Sequence, residues 1–431
     1  MNFLIDTVGQ PKIISPLAYS NNNNDFIPNF IPDDNKIRFD TIISKDKIEN
    51  SQSFEMAGPR KVIYFDPLKT KAAIVTCGGL SPGINTVINA LVTELVEGYG
   101  VNSVIGFQYG FAGLVPEGGY SIVELSPELT SEWSLEAGSS LGSSRGAQDV
   151  EAMVDSLERL NINMLFAIGG DGTQRGAMEI YREVEKRNYR ISIVGVPKTI
   201  DNDISYISKT FGYETAAAKA SQAIEAARVE AEGAPRGVGL VKLMGRHSGA
   251  ITAYASLANG NVDAVLIPES PFKLEGENGL FAWIEKQLES KDSALVVAAE
   301  GAGQELFDAD NEKYDASGNK KLQNIGLLLK ERITSYFQEA GVPVNLKYID
   351  PSYIIRSTPP SPGDAVFCNR LGQNAVHAAM AGKTGLIIGL WKEDFTHIPL
   401  EAAVSRRKTV DTDGSFWGSV LQMSGQPPRF I

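Results

Sequence analysis

The sequence predicts an α/β protein with two three-layer (αβα), Rossmann-like domains whose sheets are mainly parallel, preceded by an extended N-terminal arm. From Lys71 onward, short apolar runs alternate with amphipathic stretches, and Gly-rich or polar turns follow several of the runs. Repeated strand–turn–helix units of this kind form parallel sheets with helices on both faces. The length of 431 residues is enough for two or three domains at about 100–200 residues each.

The first 70 residues differ from the rest of the chain in composition and in hydrophobic pattern. Ser20–Pro32 is rich in Asn and Pro and keeps neither a helical nor a strand period. We predict that residues 1–70 form an extended arm that wraps the body or a neighbouring subunit, and a disordered tail is the alternative.

Eight apolar runs are predicted to be buried strands: Ala72–Thr76, Val104–Phe107, Met164–Ile168, Ile191–Val196, Gly237–Lys242, Ala264–Ile267, Ala294–Ala298 and Leu386–Leu390. Helices are predicted at Ile84–Gly100, at Gly176–Asn188 and from Tyr213 to a stop at Gly233 and Pro235. We divide this region into a first domain, 71–213, completed by about 357–400, and a second, 214–356, completed by about 401–431.

Composition excludes several classes of function. The net charge of −12 opposes sequence-independent binding to nucleic acid, which relies on Lys and Arg. Two cysteines and three histidines are too few for a disulfide framework or a Cys/His zinc site. The N-terminus shows no secretory signal and no apolar run approaches the ~20 residues of a membrane span. We therefore expect a cytoplasmic protein without a membrane or nucleic-acid partner.

Two Gly-rich turns indicate phosphate binding. Gly78–Gly83 follows a predicted strand, and its glycines let the backbone approach a phosphate at the start of a helix. Gly169–Thr173 (GGDGT) places Asp171 between glycines at the end of another strand. One carboxylate together with nucleotide phosphates suits Mg²⁺, although an Asp can also simply cap a helix. GGDGT also occurs in NAD kinases and diacylglycerol kinases, so it indicates a kinase without identifying the substrate.

The segment Pro197–Asp203 (PKTIDND) is the most specific motif. It follows a third strand and contains two carboxylates, a hydroxyl and an ammonium group in seven residues. Phosphoryl transfer to an alcohol needs a carboxylate that accepts the hydroxyl proton and cations that stabilise the transferred charge.

These motifs resemble the phosphofructokinase family. The family pattern GG-x-x-PG-x-N, GGDG[ST], P-[GK]-TIDND and MGR occurs here in order, the last as Met244-Gly245-Arg246, and the match covers about residues 71–431. GSSRG, GGDGTQRGA and the YIDPSYIIR-like segment make it most similar to the longer ATP-dependent 6-phosphofructokinases. The resemblance implies that the first domain binds nucleotide and the second binds sugar phosphate.

The resemblance also assigns residues position by position. It implies Asp201 as the base that takes the proton from the sugar O1, with Thr199, Asp203, Lys198 and Arg145 completing the catalytic set. The nucleotide would contact Gly78, Arg145, Gly146, Gly170, Asp171, Gly172, Thr173 and Gly176, and Asp171 would be the residue linked to magnesium. Fructose 6-phosphate would contact Thr199, Ile200, Asp201, Met244, Gly245, Arg246, Glu300, Tyr353 and Arg356. Arg246 and Arg356 can grip a phosphate with two hydrogen bonds each, and Glu300 can accept from sugar hydroxyls.

Two departures from the short bacterial enzymes concern the sugar side. Gly237 occupies the place of an Arg nine residues before Arg246, so the resemblance does not carry over the substrate contact that this Arg makes across a subunit interface. Tyr353 replaces a His, and its phenol can still donate to a phosphate. The neighbouring His247 is interpreted as a surface or supporting residue because Asp201 fills the role of base.

The phosphoryl donor follows from Gly172 and Lys198. Pyrophosphate users have Asp in place of Gly172 and Lys at position 198, so this sequence is mixed. A carboxylate at position 172 would repel the α-phosphate of ATP. Lys198 only adds a positive charge near the transferred group, so it excludes neither ATP nor pyrophosphate. We therefore predict ATP-dependent 6-phosphofructokinase activity with Mg²⁺, in glycolysis, and the pyrophosphate-dependent reaction is the alternative. The resemblance further implies an allosteric homo-oligomer, a dimer or tetramer. A non-catalytic regulatory subunit would typically have lost one of Asp171, Asp201 and Asp203.

Overall fold

The computed structural model describes residues 3–40, 52–307 and 321–431. The strands are β1 (Asp6–Thr7), β2 (Ile13–Ile14), β3 (Lys36–Arg38), β4 (Ser53–Met56), β5 (Val62–Ile63), β6 (Lys71–Thr76), β7 (Ser103–Phe107), β8 (Ile122–Glu124), β9 (Met164–Gly169), β10 (Ser192–Pro197), β11 (Gly237–Leu243), β12 (Ala264–Leu266), β13 (Ser293–Ala299), β14 (Asn345–Ile349), β15 (Lys383–Thr384), β16 (Leu386–Trp391) and β17 (Asp394–Pro399). The α-helices are α1 (Ile84–Thr93), α2 (Phe111–Leu114), α3 (Pro127–Trp133), α4 (Val150–Arg159), α5 (Asp171–Lys186), α6 (Tyr213–Glu232), α7 (Ala250–Asn259), α8 (Leu280–Lys291), α9 (Ile325–Glu339), α10 (Pro362–Met380), α11 (Leu400–Ala403) and α12 (Ser415–Ser424).

The chain divides into two compact units. Unit 1 comprises residues 1–199, 204–212 and 357–407, and unit 2 comprises residues 200–203, 213–356 and 408–431. The segment that carries PKTIDND is shared between them, since Thr199 belongs to unit 1 and Ile200–Asp203 to unit 2.

Unit 1 is built on one large sheet with strand order β3-β4-β17-β16-β10-β9-β6-β7-β8 among the described residues. Its central strands, β16, β10, β9, β6 and β7, are parallel, and antiparallel strands flank them on both sides. Every residue of β9 and β10 is buried, because helices cover both faces of a parallel sheet. The predicted α/β fold class with mainly parallel sheets is confirmed, and the antiparallel edge strands are an addition to it.

The described part of the N-terminal segment is extended and packs on unit 1. β1 pairs with β15, β2 pairs with β5, and β4 pairs with β17. Phe54 in β4 is fully buried, so this segment contributes to the hydrophobic core. Residues 41–51 lie outside the described residues, and a contact of the arm with a neighbouring subunit stays a prediction.

Unit 2 contains a smaller, all-parallel sheet with strand order β12-β13-β11-β14 in the described part of the chain. The core on one face contains residues of α6 and α7 together with Trp417 from the C-terminal helix α12. Leu280 and Phe281 of α8 and Leu329 of α9 pack on the other face. These three layers match the architecture that the sequence predicts.

Two helices differ from their predicted bounds. α5 begins at Asp171, five residues before the predicted start, so the last three residues of the GGDGT loop form the first helical turn. α1 ends at Thr93, and Glu94–Gly98 continues it as a wider π-helical turn. Within the described residues, the helices are too short or too polar to span a bilayer.

Candidate active site

The first Gly-rich loop of unit 1 follows β6 and is held in place by two neighbouring segments. Gly78 has a φ of +86°, which favours glycine, and its N–H donates to the carbonyl oxygen of Ser144 at 2.9 Å. The Ser143 hydroxyl donates to the Gly78 carbonyl at 2.7 Å. These bonds place the exposed side chain of Arg145 and the adjoining Gly146 next to the loop.

Lys198 lies beneath the same loop. Its Nζ donates to the carbonyl oxygen of Gly79, and a Cβ at position 78 would lie 3.3 Å from this Nζ. Lys198 is only 4% exposed, so its charge is placed at this Gly-rich loop rather than in bulk solvent. Burial raises the pKa of the adjacent Cys77 to about 12 against the opposing charge of Lys198. Cys77 is therefore a packed thiol without nucleophilic character.

The GGDGT loop lies beside the first loop at the carboxyl edge of the sheet. A Cβ on Gly169 would lie 2.1 Å from the Thr173 hydroxyl oxygen, and a Cβ on Gly170 would lie 3.2 Å from the Lys198 carbonyl oxygen. Glycine is required at the first position because Thr173 turns back over it. Gln174 donates to the Gly169 and Val196 carbonyls and so links the ends of β9 and β10.

Gly172 and Gly176 have different surroundings on α5. A Cβ at position 172 would meet nothing within 4 Å, whereas a Cβ at position 176 would lie 2.6 Å from the Phe111 ring. Gly176 therefore has a packing reason to be glycine. Gly172 faces open space at the start of the helix, where backbone N–H groups favour anions.

Two arginines contact the carboxylate of Asp171. Arg175 donates to both oxygens at 3.2 Å, and Arg407 donates to Oδ2 at 3.4 Å. No group of three or more potential metal-ligating side chains occurs in the described residues. One carboxylate beside Gly-rich loops still fits a Mg²⁺ ion that would be held mainly by nucleotide phosphates and water.

The carboxyl half of PKTIDND is anchored in unit 2. The side chain of Ile200 is 5% exposed and packs in the core with Tyr213 and Val410, so its role is to hold the segment. Asn202 has a φ of +50°, which turns the backbone between Asp201 and Asp203. In unit 1, the Thr210 hydroxyl donates to the Thr199 carbonyl oxygen at 2.6 Å and fixes the other half.

Lys408 lies next to Asp203 in unit 2. The backbone N–H of Lys408 donates to the backbone carbonyl oxygen of Asp203 at 2.9 Å. Burial lowers the pKa of Lys408 to about 8, and the charge of Asp203 acts in the opposite direction. The ammonium group is thus a cation near Asp203 at neutral pH.

The loops after β11 and β13 adjoin each other, since these strands are parallel neighbours in register from Gly237 to Leu243. The Glu300 N–H donates to the Leu243 carbonyl oxygen at 2.8 Å, and the Gly301 N–H donates to that of Gly245 at 3.1 Å. Gly245 has a φ of +131°. The structure thereby brings together Met244, Gly245, Arg246 and Glu300, and His247 beside them is exposed.

Tyr353 and Arg356 follow β14 at the same edge of the sheet in unit 2. The guanidinium carbon of Arg356 lies 5.0 Å from the centre of the Tyr353 ring, and Tyr353 is 64% exposed. Lys242 in β11 pairs with Asp350 at 2.7 Å and so connects the start of this loop to the sheet. An exposed phenol beside a guanidinium offers two kinds of donor to an anion.

Sequence reasoning did not select Arg175, Arg407, Lys408 and Glu269. Glu269 accepts the N–H groups of Gly249 and Val410, which ties the loop after β11 to the C-terminal segment of unit 2. The run Arg406-Arg407-Lys408 was a possible signal, because three cations are unusual in an acidic chain. Its position at the site depends on a tertiary contact more than 200 residues away in sequence.

A phosphofructokinase family model matches residues 71–379. Several proteins that are named ATP-dependent 6-phosphofructokinase are similar to this chain over most of its length. The protein from Borreliella burgdorferi is 46% identical, with 99% of this chain and 97% of that protein aligned. The protein from Amycolatopsis methanolica is 44% identical over 98% and 94% of the two chains, and that from Trypanosoma cruzi is 44% identical over 86% and 76%.

Solved structures support the fold. The structure described as a pyrophosphate-dependent phosphofructokinase from Marinobacter aquaeolei has a TM-score of 0.67 and 21% identity, and the match covers 83% of this chain and 92% of that one. Phosphofructokinase from Saccharomyces cerevisiae has a TM-score of 0.64 at 22% identity, covering 83% of this chain and 48% of that one. At such identities the likeness concerns the fold alone.

Proposed function

Since this chain belongs to the phosphofructokinase family, we propose that it transfers the γ-phosphoryl group of ATP to O1 of fructose 6-phosphate, giving ADP and fructose 1,6-bisphosphate, a step of glycolysis. We choose ATP over pyrophosphate as the donor because the space at Gly172 is open, which leaves room for the phosphates of a nucleotide. The names of the relatives from Borreliella burgdorferi and Amycolatopsis methanolica support the same donor.

We assign the nucleotide to the carboxyl-edge loops of unit 1. Gly78, Gly170, Gly172 and Thr173 offer backbone and hydroxyl donors to phosphate oxygens, and Arg145 with Gly146 extends this surface. Asp171 would hold a magnesium ion bound to the phosphates. Such an ion, when bound, neutralises charge on the transferred group. Arg175 and Arg407 hold the Asp171 carboxylate in place through the bonds described above.

We assign the acceptor to PKTIDND and to the loops of unit 2. Asp201 accepts the proton of the sugar O1 hydroxyl as O1 attacks phosphorus, and the bond from phosphorus to the β-phosphate oxygen breaks. Asp203, Thr199 and Lys198 complete the polar surroundings. Arg246 and Arg356 bind the 6-phosphate, Tyr353 donates to it, and Glu300 accepts from sugar hydroxyls. Met244 provides an apolar contact. We further propose that the working enzyme is a cytoplasmic homo-oligomer.

Steady-state assays with ATP and with pyrophosphate side by side test the donor and the base together. We expect turnover with ATP, and the Asp201→Asn variant should lose about 10²–10⁴ in kcat with KM values within a few-fold. Asp413→Asn, which removes an exposed carboxylate of the same unit, is the matched control. Turnover with pyrophosphate alone would contradict the donor, and near wild-type kcat in Asp201→Asn would contradict the base.

Arginine variants test the acceptor side. Arg246→Ala and Arg356→Ala should each raise KM for fructose 6-phosphate far more than KM for ATP, because each removes a bidentate phosphate contact. An equal rise in both constants, or a rise for ATP alone, would place these arginines elsewhere.

A further inference from the structure

A cavity in unit 1 lies at the opposite edge of the sheet from the Gly-rich loops of the candidate active site. It has a volume of about 510 Å³. Its lining residues come from the N-terminal segment and from the chain just before β6, β9 and β10: Gly9, Gln10, Lys12, Ile13, Tyr64, Phe65, Asp66, Lys69, Thr70, Asn163 and Arg190. Thr70, Asn163 and Arg190 come shortly before β6, β9 and β10, so the cavity opens at the amino ends of these strands. We call it the amino-edge cavity.

This position separates the cavity from the candidate active site. β9 has six residues, which at about 3.3 Å per residue span roughly 20 Å. The GGDGT loop follows the far end of that strand, whereas Asn163 precedes the near end. A ligand in the amino-edge cavity is therefore distinct from the nucleotide that we assign to unit 1.

The charge of the cavity is positive. Lys12, Lys69 and Arg190 line it, and Asp66 is the only carboxylate among the lining residues that the structure describes. Lys69 lies 3.4 Å from Asp66, while Lys12 and Arg190 have no carboxylate within ion-pair distance in the described part of the chain. A local excess of cations is notable in a protein of net charge −12, because it is this local field that a bound anion meets.

The remaining lining groups combine hydrogen-bond donors with an aromatic wall. Asn163 Oδ1 accepts the Lys71 N–H at 2.8 Å, so the group that its side chain can offer to a ligand is the donor Nδ2. Arg190 contacts the Tyr64 hydroxyl at 3.5 Å. A Cβ on Gly9 would lie 2.6 Å from the Tyr64 ring, so glycine allows the N-terminal segment to pack closely against this ring.

We propose that the amino-edge cavity binds a phosphorylated small molecule whose phosphate contacts Lys12, Lys69 and Arg190 and whose organic part lies against Tyr64. A guanidinium fork and ammonium groups suit the multiple oxygens of a phosphate. The volume is within the usual range of about 300–1,000 Å³ for small-molecule sites. The aromatic wall favours a ligand with a ring over inorganic phosphate alone.

Calorimetry with phenyl phosphate tests the proposal, since this probe combines a phosphate with a ring. The protein is first saturated with fructose 6-phosphate and a non-hydrolysable ATP analogue, so that the catalytic loops are occupied. We expect one phenyl phosphate per chain, bound more tightly than inorganic phosphate. The double variant Lys12→Gln/Arg190→Gln should bind at least tenfold more weakly. Lys36→Gln/Arg38→Gln, which removes two exposed cations of the same unit, should bind like wild type.

A labelling experiment locates the site independently. Pyridoxal 5′-phosphate forms an imine with a lysine amine and releases water, and borohydride reduces the imine to a stable amine that mass spectrometry can map. We expect labelling at Lys12 or Lys69 that phenyl phosphate suppresses. Equal affinity of the three proteins, no binding by wild type, or labelling that avoids both lysines would overturn the proposal. Neither measurement depends on turnover, so the result is independent of the proposed catalytic activity.

Discussion

Nδ1 of His397 lies 3.0 Å from Oε1 of Glu55. This contact connects β17 of the large sheet to β4 of the N-terminal segment. The same Glu55 carboxylate lies 3.1 Å from Arg60 and 3.0 Å from Lys383. Burial opposes its ionisation, but the hydrogen bond and charge of His397 and the charge of Lys383 together lower the pKa of Glu55 to about 2. This cluster joins the N-terminal segment to β15 and β17 of unit 1.

Glu55→Gln should lower the free energy of unfolding by about 2 kcal/mol, because the buried Arg60 and Lys383 charges then keep only the largely exposed Asp33 as a carboxylate partner. Urea unfolding followed by circular dichroism measures the change. Glu179→Gln is the matched control, since Glu179 and Arg182 are both 53% exposed and 3.7 Å apart. That variant should change stability by about 0.5 kcal/mol or less. A loss for Glu55→Gln as small as that of the control would contradict the structural role of the cluster.

Acid should destabilise the protein through His377. Burial lowers the pKa of His377 to about 3, with the charge of Arg60 acting in the same direction, and its Nδ1 lies 2.9 Å from the Tyr99 hydroxyl. Glu94 lies 3.8 Å away, and burial raises the pKa of that carboxyl group.

Between pH 6.5 and 3 the unfolded chain binds a proton at His377 that the folded chain does not, so this contribution to stability falls as the pH falls. The loss from pH 6.5 to pH 5 is about 1.5 kcal/mol. Unfolding free energies across this range should show a shallower fall in His377→Gln, and His247→Gln, at an exposed histidine, should keep the wild-type slope. An unchanged slope in His377→Gln would contradict the assignment.

Lys408 should influence how enzyme activity falls at alkaline pH. Its pKa of about 8 means that the cation beside Asp203 is lost as the pH rises above 8. We expect kcat/KM for fructose 6-phosphate to fall there. In Lys408→Arg the guanidinium stays charged, so the fall should move above pH 9. Lys408→Met should be impaired about tenfold at all pH values, equivalent to ~1.4 kcal/mol. The same pH profile in all three proteins would rule out this role.

Gly172→Asp should damage the use of ATP. A Cβ at position 172 would meet no other atom within 4 Å, so the substitution does not clash at its first side-chain atom and we expect its main effect on the ligand. At ~4 Å and an effective dielectric of ~20, a like-charge contact with a phosphate costs about 4 kcal/mol before screening and relaxation. Pyrophosphate has no α-phosphate to meet this charge, and Lys198 already provides the cation associated with its use.

The measurement is kcat/KM for both donors in wild type and in Gly172→Asp. Gly418→Asp is the control, because Gly418 also lies in a helix with open space at its Cβ. Use of ATP within about tenfold of wild type in Gly172→Asp would show that position 172 does not select the donor.

The residue pattern alone was sufficient for the fold class and for the phosphate motifs. The strands from Ala72, Met164 and Gly237 lie within about one residue of their predicted bounds, because short continuous apolar runs that alternate with amphipathic stretches are typical of parallel strands buried on both faces. The Gly-rich turn predicted at Gly78 is also present, with a φ of +86° at that residue. The signal is local in each case.

Tertiary structure alone decided which distant residues complete these local motifs. Arg407 reaches Asp171, Lys408 reaches Asp203, and Glu55 reaches His397 across separations of 205 to 342 residues. The antiparallel pairing of β4 with β17 and the amino-edge cavity arise in the same way, from segments that no local period connects. Apolar periodicity determines which side chains are buried, whereas the partners of a buried charge are chosen by the packing that brings remote segments together.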